Sequence, residues 1–317
     1  MLNVAVVGLG WWGRTLLSLL KGNRKLRVVR RVDPFVKGEG VTPDLASALA
    51  DPEVQGVILC TPHSQHGAQV VQAASAKKHV FCEKPLALSR EEALSSVKAC
   101  NDNRVVLAVG HEKRFEPPIR EVFRMARMGE LGTLLQVEAN FSQNKFLSLP
   151  KENWRLSEKE APAGPMTATG IHLLDLSVGL LGPVERVFAS VKTLGSNLTN
   201  GDTLAIHLTH RSGAHALISA ILATPFEGRF AVYGTKGWVE VRDKAHPEAP
   251  QGWVLTNDRK EIFDYAPFNA VLANLEAFAD AAEGRAPYPV SQEEMIANIA
   301  ALEGVFRSAR TGNVEAA

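Results

Sequence analysis

The first 110 residues alternate short apolar runs with amphipathic helical patterns, and this alternation constrains the fold more than any other feature of the chain. The runs are rich in Val, Ile and Leu over nearly their whole length, which is typical of strands buried on both faces of a sheet. Right-handed crossovers between such strands produce a doubly wound parallel sheet. The predicted strands are 3–7, 26–32, 56–60, 79–82 and 105–109, with helices at 13–21, 44–50, 66–77 and 90–101.

After His111 the pattern changes to the alternation of polar and apolar residues that half-buried antiparallel strands show. THRSGAHA (209–216) and GTKG (234–237) are typical of hairpin turns, and helical patterns return at 269–283 and 291–310. We predict an α/β Rossmann domain over 1–118, followed by an α+β domain over 119–317 with a large, mostly antiparallel open sheet. Its predicted strands are 132–144, 184–194, 202–213, 214–224, 228–241 and 252–257.

The charge balance argues against several classes of partner. Among 317 residues, 35 basic and 34 acidic side chains give a formal net charge of +1, which provides no electrostatic reason to expect nucleic acid or a membrane surface. The three cysteines lack CxxC spacing and are expected to be buried thiols in a reducing compartment. Neither a signal peptide nor a membrane span is expected from the first apolar run, so we predict a cytoplasmic protein.

The sequence GLGWWG, residues 8–13, fits the G-x-G-x-x-G pattern of a dinucleotide site. Gly8 permits the tight turn after the strand, Gly10 lets the backbone approach a pyrophosphate, and Gly13 allows close packing of helix on strand. The N–H groups at the start of the following helix are available to the phosphates. We predict that this loop, including Trp11 and Trp12, contacts the cofactor.

An acidic residue follows the glycine loop at about the sequence spacing that dinucleotide sites show. Asp33 ends the second predicted strand, 20 residues after Gly13, where a carboxylate accepts hydrogen bonds from the adenosine ribose. A 2′-phosphate there meets like-charge repulsion, so NAD is favoured. Arg30 and Arg31 keep NADP as the alternative.

Two polar segments follow neighbouring strands of the predicted parallel sheet. CTPHSQH (60–66) and CEKP (82–85) begin at the carboxyl ends of their strands, where open α/β sheets bind ligands. His63 and His66 suggest a metal pair, but no third ligand is evident, so we predict no metal and assign His66 to cofactor contact. The further residues that we assign to the cofactor here are Thr61, Pro62, Glu83 and Lys84.

In their order and spacing, GLGWWG, TPHSQH and EKP resemble the Gfo/Idh/MocA family, the group of glucose–fructose oxidoreductase and inositol dehydrogenase. The resemblance covers nearly the whole chain. It continues through GHEKRFEP (110–117), GTLLQVEANFS (132–142), NWR (153–155), GPMTATGIHLLD (164–175) and SARTG (308–312).

The resemblance implies a nicotinamide-dependent enzyme that acts on a secondary alcohol of a sugar, polyol or related ring. Lys84 matches the family's catalytic lysine and His172 its catalytic histidine. An imidazole suits a base for the hydroxyl proton because its unperturbed pKa is about 6.5, while Lys84 would bond the same hydroxyl. The residues expected to contact the substrate are Arg114, Trp154, Arg155 and His172. Two alternatives stay open: Arg114 has a structural role, and His172 is a histidine of the core.

One position departs from the family pattern. Many members carry an aspartate four residues before the histidine, where this chain has Ala168. A proton relay through that carboxylate cannot operate here. Asp175 lies three residues after His172, on the same helical face, and is expected to orient the imidazole.

Three functions stay open on the sequence alone. The first is a dehydrogenase or reductase. The second is a glycosidase that uses NAD without net redox, and the third is a cofactor-binding regulator on the same fold. Apolar residues on both faces of AHALISAILAT (214–224) indicate that this part of the sheet is covered. Since relatives use that sheet for assembly, a homodimer or homotetramer is expected, with a small-molecule substrate.

Overall fold

The computed structural model describes residues 1–38, 40–247 and 251–317. Within these ranges the chain divides into two compact units. The first comprises Met1–His111 and Val271–Ile296, and the second comprises Glu112–Ala270 and Ala297–Ala317. No helix in the described ranges has the length and apolar character needed to span a bilayer.

The first unit contains a six-stranded parallel sheet in the order β3-β2-β1-β4-β5-β6. This order confirms the predicted doubly wound sheet. The two-residue strand β3 was not predicted because so short a segment carries no periodicity. The strands are β1 Leu2–Val7, β2 Leu26–Val32, β3 Val41–Thr42, β4 Gly56–Leu59, β5 His79–Cys82 and β6 Leu107–Val109; the helices are α1 Trp11–Leu19, α2 Leu45–Ala50, α3 His66–Ser75 and α4 Arg90–Asn103.

A later helix completes the core of this unit. In α7, Ala270–Ala282, the side chain of Phe278 lies edge-on to Phe81 of β5 at a centroid distance of 5.9 Å. Leu275 belongs to the same buried cluster. In chain order the predicted helix at 269–283 follows the predicted domain boundary. In the structure, the buried apolar face of α7 packs in the core of the first unit.

The second unit contains a nine-stranded sheet in the order β14-β13-β12-β11-β7-β10-β9-β8-β15. Among the strand pairs that the described residues form, only β7 and β10 run parallel, which confirms the predicted, mostly antiparallel sheet. The strands are β7 Leu134–Ser142, β8 Val184–Lys192, β9 Thr203–His210, β10 His215–Ile221, β11 Glu227–Gly234, β12 Gly237–Asp243, β13 Trp253–Asn257, β14 Ile262–Tyr265 and β15 Glu315–Ala316.

Two helices lie in this unit, and a third lies partly in it. They are α5 Pro117–Arg127, α6 Ile171–Leu181 and α8 Gln292–Thr311. Pro117 occupies the first turn of α5, where its missing N–H has no intrahelical role. The predicted domain boundary near residue 118 therefore falls inside a helix. The two prolines mark the start of α5, and the domain boundary near residue 118 stays a prediction.

Candidate active site

The three glycines of the loop between β1 and α1 meet different surroundings. Gly8 has φ +87°, and a Cβ there would lie 2.8 Å from the carbonyl oxygen of Cys60. A Cβ on Gly13 would lie 1.9 Å from the carbonyl oxygen of Gly8. A Cβ on Gly10 would have no heavy atom of the described chain within 4 Å. Gly8 and Gly13 are thus required by packing, whereas Gly10 borders open space of the kind that a pyrophosphate needs.

The start of α1 is suited to bind an anion. Gly10 is its N-cap and makes no side-chain cap, and the N–H groups of a first helical turn are natural donors to an anion. The indole Nε1 of Trp12 is buried without a hydrogen-bond partner in the described part of the chain. A buried donor in that state costs about 1–3 kcal/mol, and the polar groups of a bound dinucleotide are suited to satisfy it. The loop therefore fits NAD.

Asp33 is fixed beside this loop. One carboxylate oxygen accepts a hydrogen bond from the Leu9 N–H at 2.7 Å, and the other accepts from the N–H groups of Phe35 and Val36 at 2.8 and 3.1 Å. A carboxylate offers about four lone-pair sites, so capacity for a ribose hydroxyl remains. Asp33 thus acts both as a support for the glycine loop and as a candidate ribose acceptor.

His66 connects the segments that follow β4 and β5. The side chain is fully buried, with Nδ1 2.6 Å from the Pro85 carbonyl oxygen and Nε2 3.0 Å from that of Thr61. A neutral imidazole has one N–H, so only the protonated ring donates to both carbonyls. Pro62, between these contacts, precedes the short 3₁₀ turn that leads into α3. The two predicted cofactor segments are thereby held together.

Glu83 and Lys84 follow β5. The Glu83 side chain is buried, and its Oε2 would lie 2.6 Å from a Cβ on Gly110, so this glycine makes room for the carboxylate. The Lys84 N–H lies 3.3 Å from the same oxygen. Lys84 is half-buried. The loop that presents this lysine is therefore packed against the end of β6.

In the second unit, His172 lies in the first turn of α6, directly after a π-helical turn, Met166–Gly170. The imidazole is 5% exposed, and its Nδ1 lies 3.5 Å from a carboxylate oxygen of Glu112. The ring centroid lies 6.0 Å from that of Phe141 on β7. Single π-helical turns occur frequently at functional sites. Glu112 was not singled out from the sequence, because no motif relates a residue after β6 to a helix so far along the chain.

Arg114 and Asp175 form a buried, two-pronged ion pair. The Arg114 Nε donates to one oxygen of Asp175 at 2.6 Å and Nη2 donates to the other at 3.1 Å. A Cβ on Gly179 would lie 2.3 Å from the guanidinium, so α6 accommodates the arginine closely. This geometry supports the structural reading of Arg114. The roles predicted for Arg114 toward substrate and for Asp175 toward His172 stay predictions.

Trp154 and Arg155 lie on a short 3₁₀ turn, Trp154–Leu156. The guanidinium carbon of Arg155 stands 4.2 Å from the Trp154 ring centroid, a cation–π arrangement. The side-chain amide of Asn200 donates to the carbonyl oxygens of Arg155 and Ala161, each at 2.9 Å. The turn is therefore anchored to the segment before β9. Contact of these two residues with substrate stays a prediction.

Two family models match the chain. Residues 2–111 match the model described as "Oxidoreductase family, NAD-binding Rossmann fold". Residues 119–240 match the one described as "GFO/IDH/MocA C-terminal domain".

Proteins of known sequence match over different shares of the chain. An oxidoreductase, YrbE of Bacillus subtilis, is 31% identical over 206 residues, which is 63% of this chain and 58% of YrbE. The 2,7-anhydro-N-acetylneuraminate hydratase of Escherichia coli is 28% identical, covering 76% of this chain and 68% of the hydratase. Inositol 2-dehydrogenase of Rhizobium meliloti is 26% identical over 96% of this chain and 95% of its own.

Solved structures share the fold over the full length. An oxidoreductase from Desulfitobacterium hafniense, described as NADPH-dependent, superposes with a TM-score of 0.87 at 24% identity, covering 99% of this chain and 97% of that one. This match shows the fold. The two family models, which together match residues 2–111 and 119–240, show that the chain belongs to the Gfo/Idh/MocA family of NAD-binding oxidoreductases.

Proposed function

We propose that this protein is an NAD(P)-dependent dehydrogenase or reductase that acts on a secondary alcohol, or the matching ketone, of a sugar, polyol or related ring. The observation that carries the proposal is the open space at Gly10 beside the uncapped start of α1, in a chain of this family. The name of the R. meliloti relative, inositol 2-dehydrogenase, supports a cyclic polyol or a similar compound as substrate.

Oxidation of a secondary alcohol removes a hydride from carbon and a proton from oxygen. Bound NAD supplies the hydride acceptor at C4 of its nicotinamide ring. We assign the proton to the His172 imidazole, which serves as the base. We assign Lys84 to the hydroxyl oxygen, where its ammonium donates a hydrogen bond and stabilises developing negative charge.

For the cofactor, Asp33 favours NAD because its carboxylate repels a 2′-phosphate. Arg30, one of the two arginines that left NADP open, forms ion pairs with Asp51 at 2.5 Å and Glu53 at 3.8 Å. Because these two carboxylates already neutralise the charge of Arg30, this arginine is less suited to bind a 2′-phosphate, which supports NAD further. NADP stays the alternative, with Arg31 as the residue to contact its 2′-phosphate.

A reaction without net redox is the second candidate. It is favoured by the similarity to the E. coli protein named as a hydratase, which matches over three quarters of this chain. An enzyme of that kind would return the hydride to the same molecule, and NADH would not accumulate.

The test is absorbance at the NADH band with purified protein, NAD and a panel of inositols, pentoses, hexoses and anhydro-sugars. We expect NADH to form with at least one compound and in proportion to enzyme. Product analysis by mass spectrometry runs in parallel. Product formation without NADH would replace the dehydrogenase with the second candidate, and tight NAD binding without any product would favour a regulator.

We also propose that the second unit's sheet mediates a homodimer or homotetramer. Phe188, His207 and Leu217 are direct cross-strand neighbours on β8, β9 and β10, and the two apolar side chains are 42% and 43% exposed. Two large apolar side chains exposed on either side of His207, on one face of the sheet, are suited to an interaction surface. Multi-angle light scattering at micromolar concentration should give a multiple of 34.3 kDa, and Leu217→Lys should shift it toward the monomer. A monomeric wild type would refute this assembly.

The cellular location stays a prediction. Cys60 is half-buried, whereas Cys82 and Cys100 are buried thiols. Burial raises the pKa of the Cys82 thiol well above its usual value and that of Cys100 to about 12. Protonated, buried thiols are consistent with the cytoplasmic location proposed from the sequence.

A further inference from the structure

We propose that Glu112 is the positioning residue for His172, holding the imidazole in the tautomer with the proton on Nδ1 and stabilising the protonated ring. This inference rests on the proposed function, in which His172 is the base. It supplies the carboxylate that this chain lacks at Ala168.

The position of the Glu112 carboxylate determines which tautomer of His172 it favours. Glu112 Oε2 lies 3.5 Å from His172 Nδ1, and the two side chains are 15% and 5% exposed. A carboxylate facing one ring nitrogen favours a proton on that nitrogen, which leaves the lone pair on Nε2 to accept the substrate proton. In a site largely withdrawn from water the attraction is screened less than at the surface. The carboxylate therefore also stabilises the imidazolium formed in the reaction.

The turn that carries this carboxylate is fixed on both sides. Its next residue, Lys113, is buried, with Nζ 3.1 Å from Glu116 and 3.2 Å from Asp243 on β12. Burial would lower the pKa of Lys113, but Asp243 and Glu116 raise it above its usual value, so the lysine stays charged. The following residue, Arg114, holds Asp175 on α6. Consecutive ion pairs thus lock the turn to the sheet and to the helix of the imidazole.

An aromatic side chain packs beside the ring. Phe141 lies beside His172, and the Lys113 ammonium stands 5.0 Å from the Phe141 ring centroid. His246 also contacts Phe141, and burial lowers its pKa to about 4, so it is neutral near pH 7. His246 therefore adds no positive charge beside Phe141 near pH 7.

Position 168 provides no carboxylate to His172 in this chain. Ala168 lies in the π-helical turn and packs against the apolar cluster of Leu156, Leu198 and Leu222. The methyl group of Ala168 can neither accept a proton nor donate one to the imidazole.

The test compares Glu112→Gln with Glu185→Gln, a control that removes an exposed carboxylate from the same unit. Histidine-selective ¹⁵N NMR reports the tautomer of His172, with the resonance assigned by its loss in His172→Gln. We expect an Nδ1–H tautomer for the neutral ring in wild type and in the control, and a shift toward Nε2–H in Glu112→Gln. Because this readout needs no turnover, it tests the inference even if no substrate is found.

Kinetics supply the second readout. Glu112→Gln should lower kcat by about tenfold or more, with KM changing less, and should move the acidic limb of the kcat profile to lower pH. Glu112→Asp, which keeps the charge, should recover part of the loss. An Nε2–H tautomer in wild type, or a tautomer and a pH profile unchanged in a folded Glu112→Gln, would overturn the inference. If Glu112→Gln does not fold, the wild-type tautomer and the Glu112→Asp profile decide.

Discussion

Replacing Lys84 with methionine should reduce kcat by about 10³-fold while NAD affinity changes by less than about threefold. Methionine keeps the length and the packing of the side chain but cannot donate a hydrogen bond to the substrate hydroxyl. The loop itself is held by other contacts, since Glu83 packs against Gly110 and His66 holds Pro85. Initial rates with the best substrate of the panel, and calorimetric titration with NAD, measure the two quantities.

The matched control is Lys21→Met, which changes an exposed lysine in the same unit. Its kcat should equal that of wild type. A Lys84→Met variant with more than a tenth of the wild-type kcat would remove Lys84 from the reaction and leave the loop as a cofactor contact only.

Replacing Gly13 with alanine should destabilise the first unit by about 3 kcal/mol or more. The new Cβ would lie 1.9 Å from the carbonyl oxygen of Gly8, which is backbone and cannot rotate away. Either the strand–turn–helix unit opens or α1 moves off the sheet. Thermal and urea unfolding measure the loss, and NAD affinity should fall with it.

Gly10→Ala is the variant to compare with Gly13→Ala. Its Cβ meets no described heavy atom within 4 Å, so the free energy of unfolding should change by less than about 1 kcal/mol. We nevertheless expect NAD affinity to fall at least about tenfold, because the methyl group occupies space reserved for the pyrophosphate. Equal losses of stability in the two alanine variants would contradict the reading of the loop, as would unchanged NAD binding in Gly10→Ala.

Short-range sequence patterns were sufficient to predict the dinucleotide-binding unit of this protein. The spacing of Gly8, Gly10 and Gly13, the acid at position 33 and the strand-end segments at 60–66 and 82–85 are all short-range patterns. Each reflects a requirement met within a few residues, such as a positive φ or a close approach of helix to strand. Continuous apolar strands between helical patterns likewise distinguished the doubly wound sheet from the antiparallel one, whose strands alternate polar and apolar residues.

Tertiary structure alone decided which side chains are paired. Arg114 and Asp175 meet across 61 positions of sequence, and Glu112 meets His172 over a similar separation. Placing α7 on the first sheet and Glu112 at the imidazole depends on how buried surfaces fit together. No periodicity encodes those contacts, because a packing or ion-pair partner is selected by shape and charge in space and not by distance along the chain.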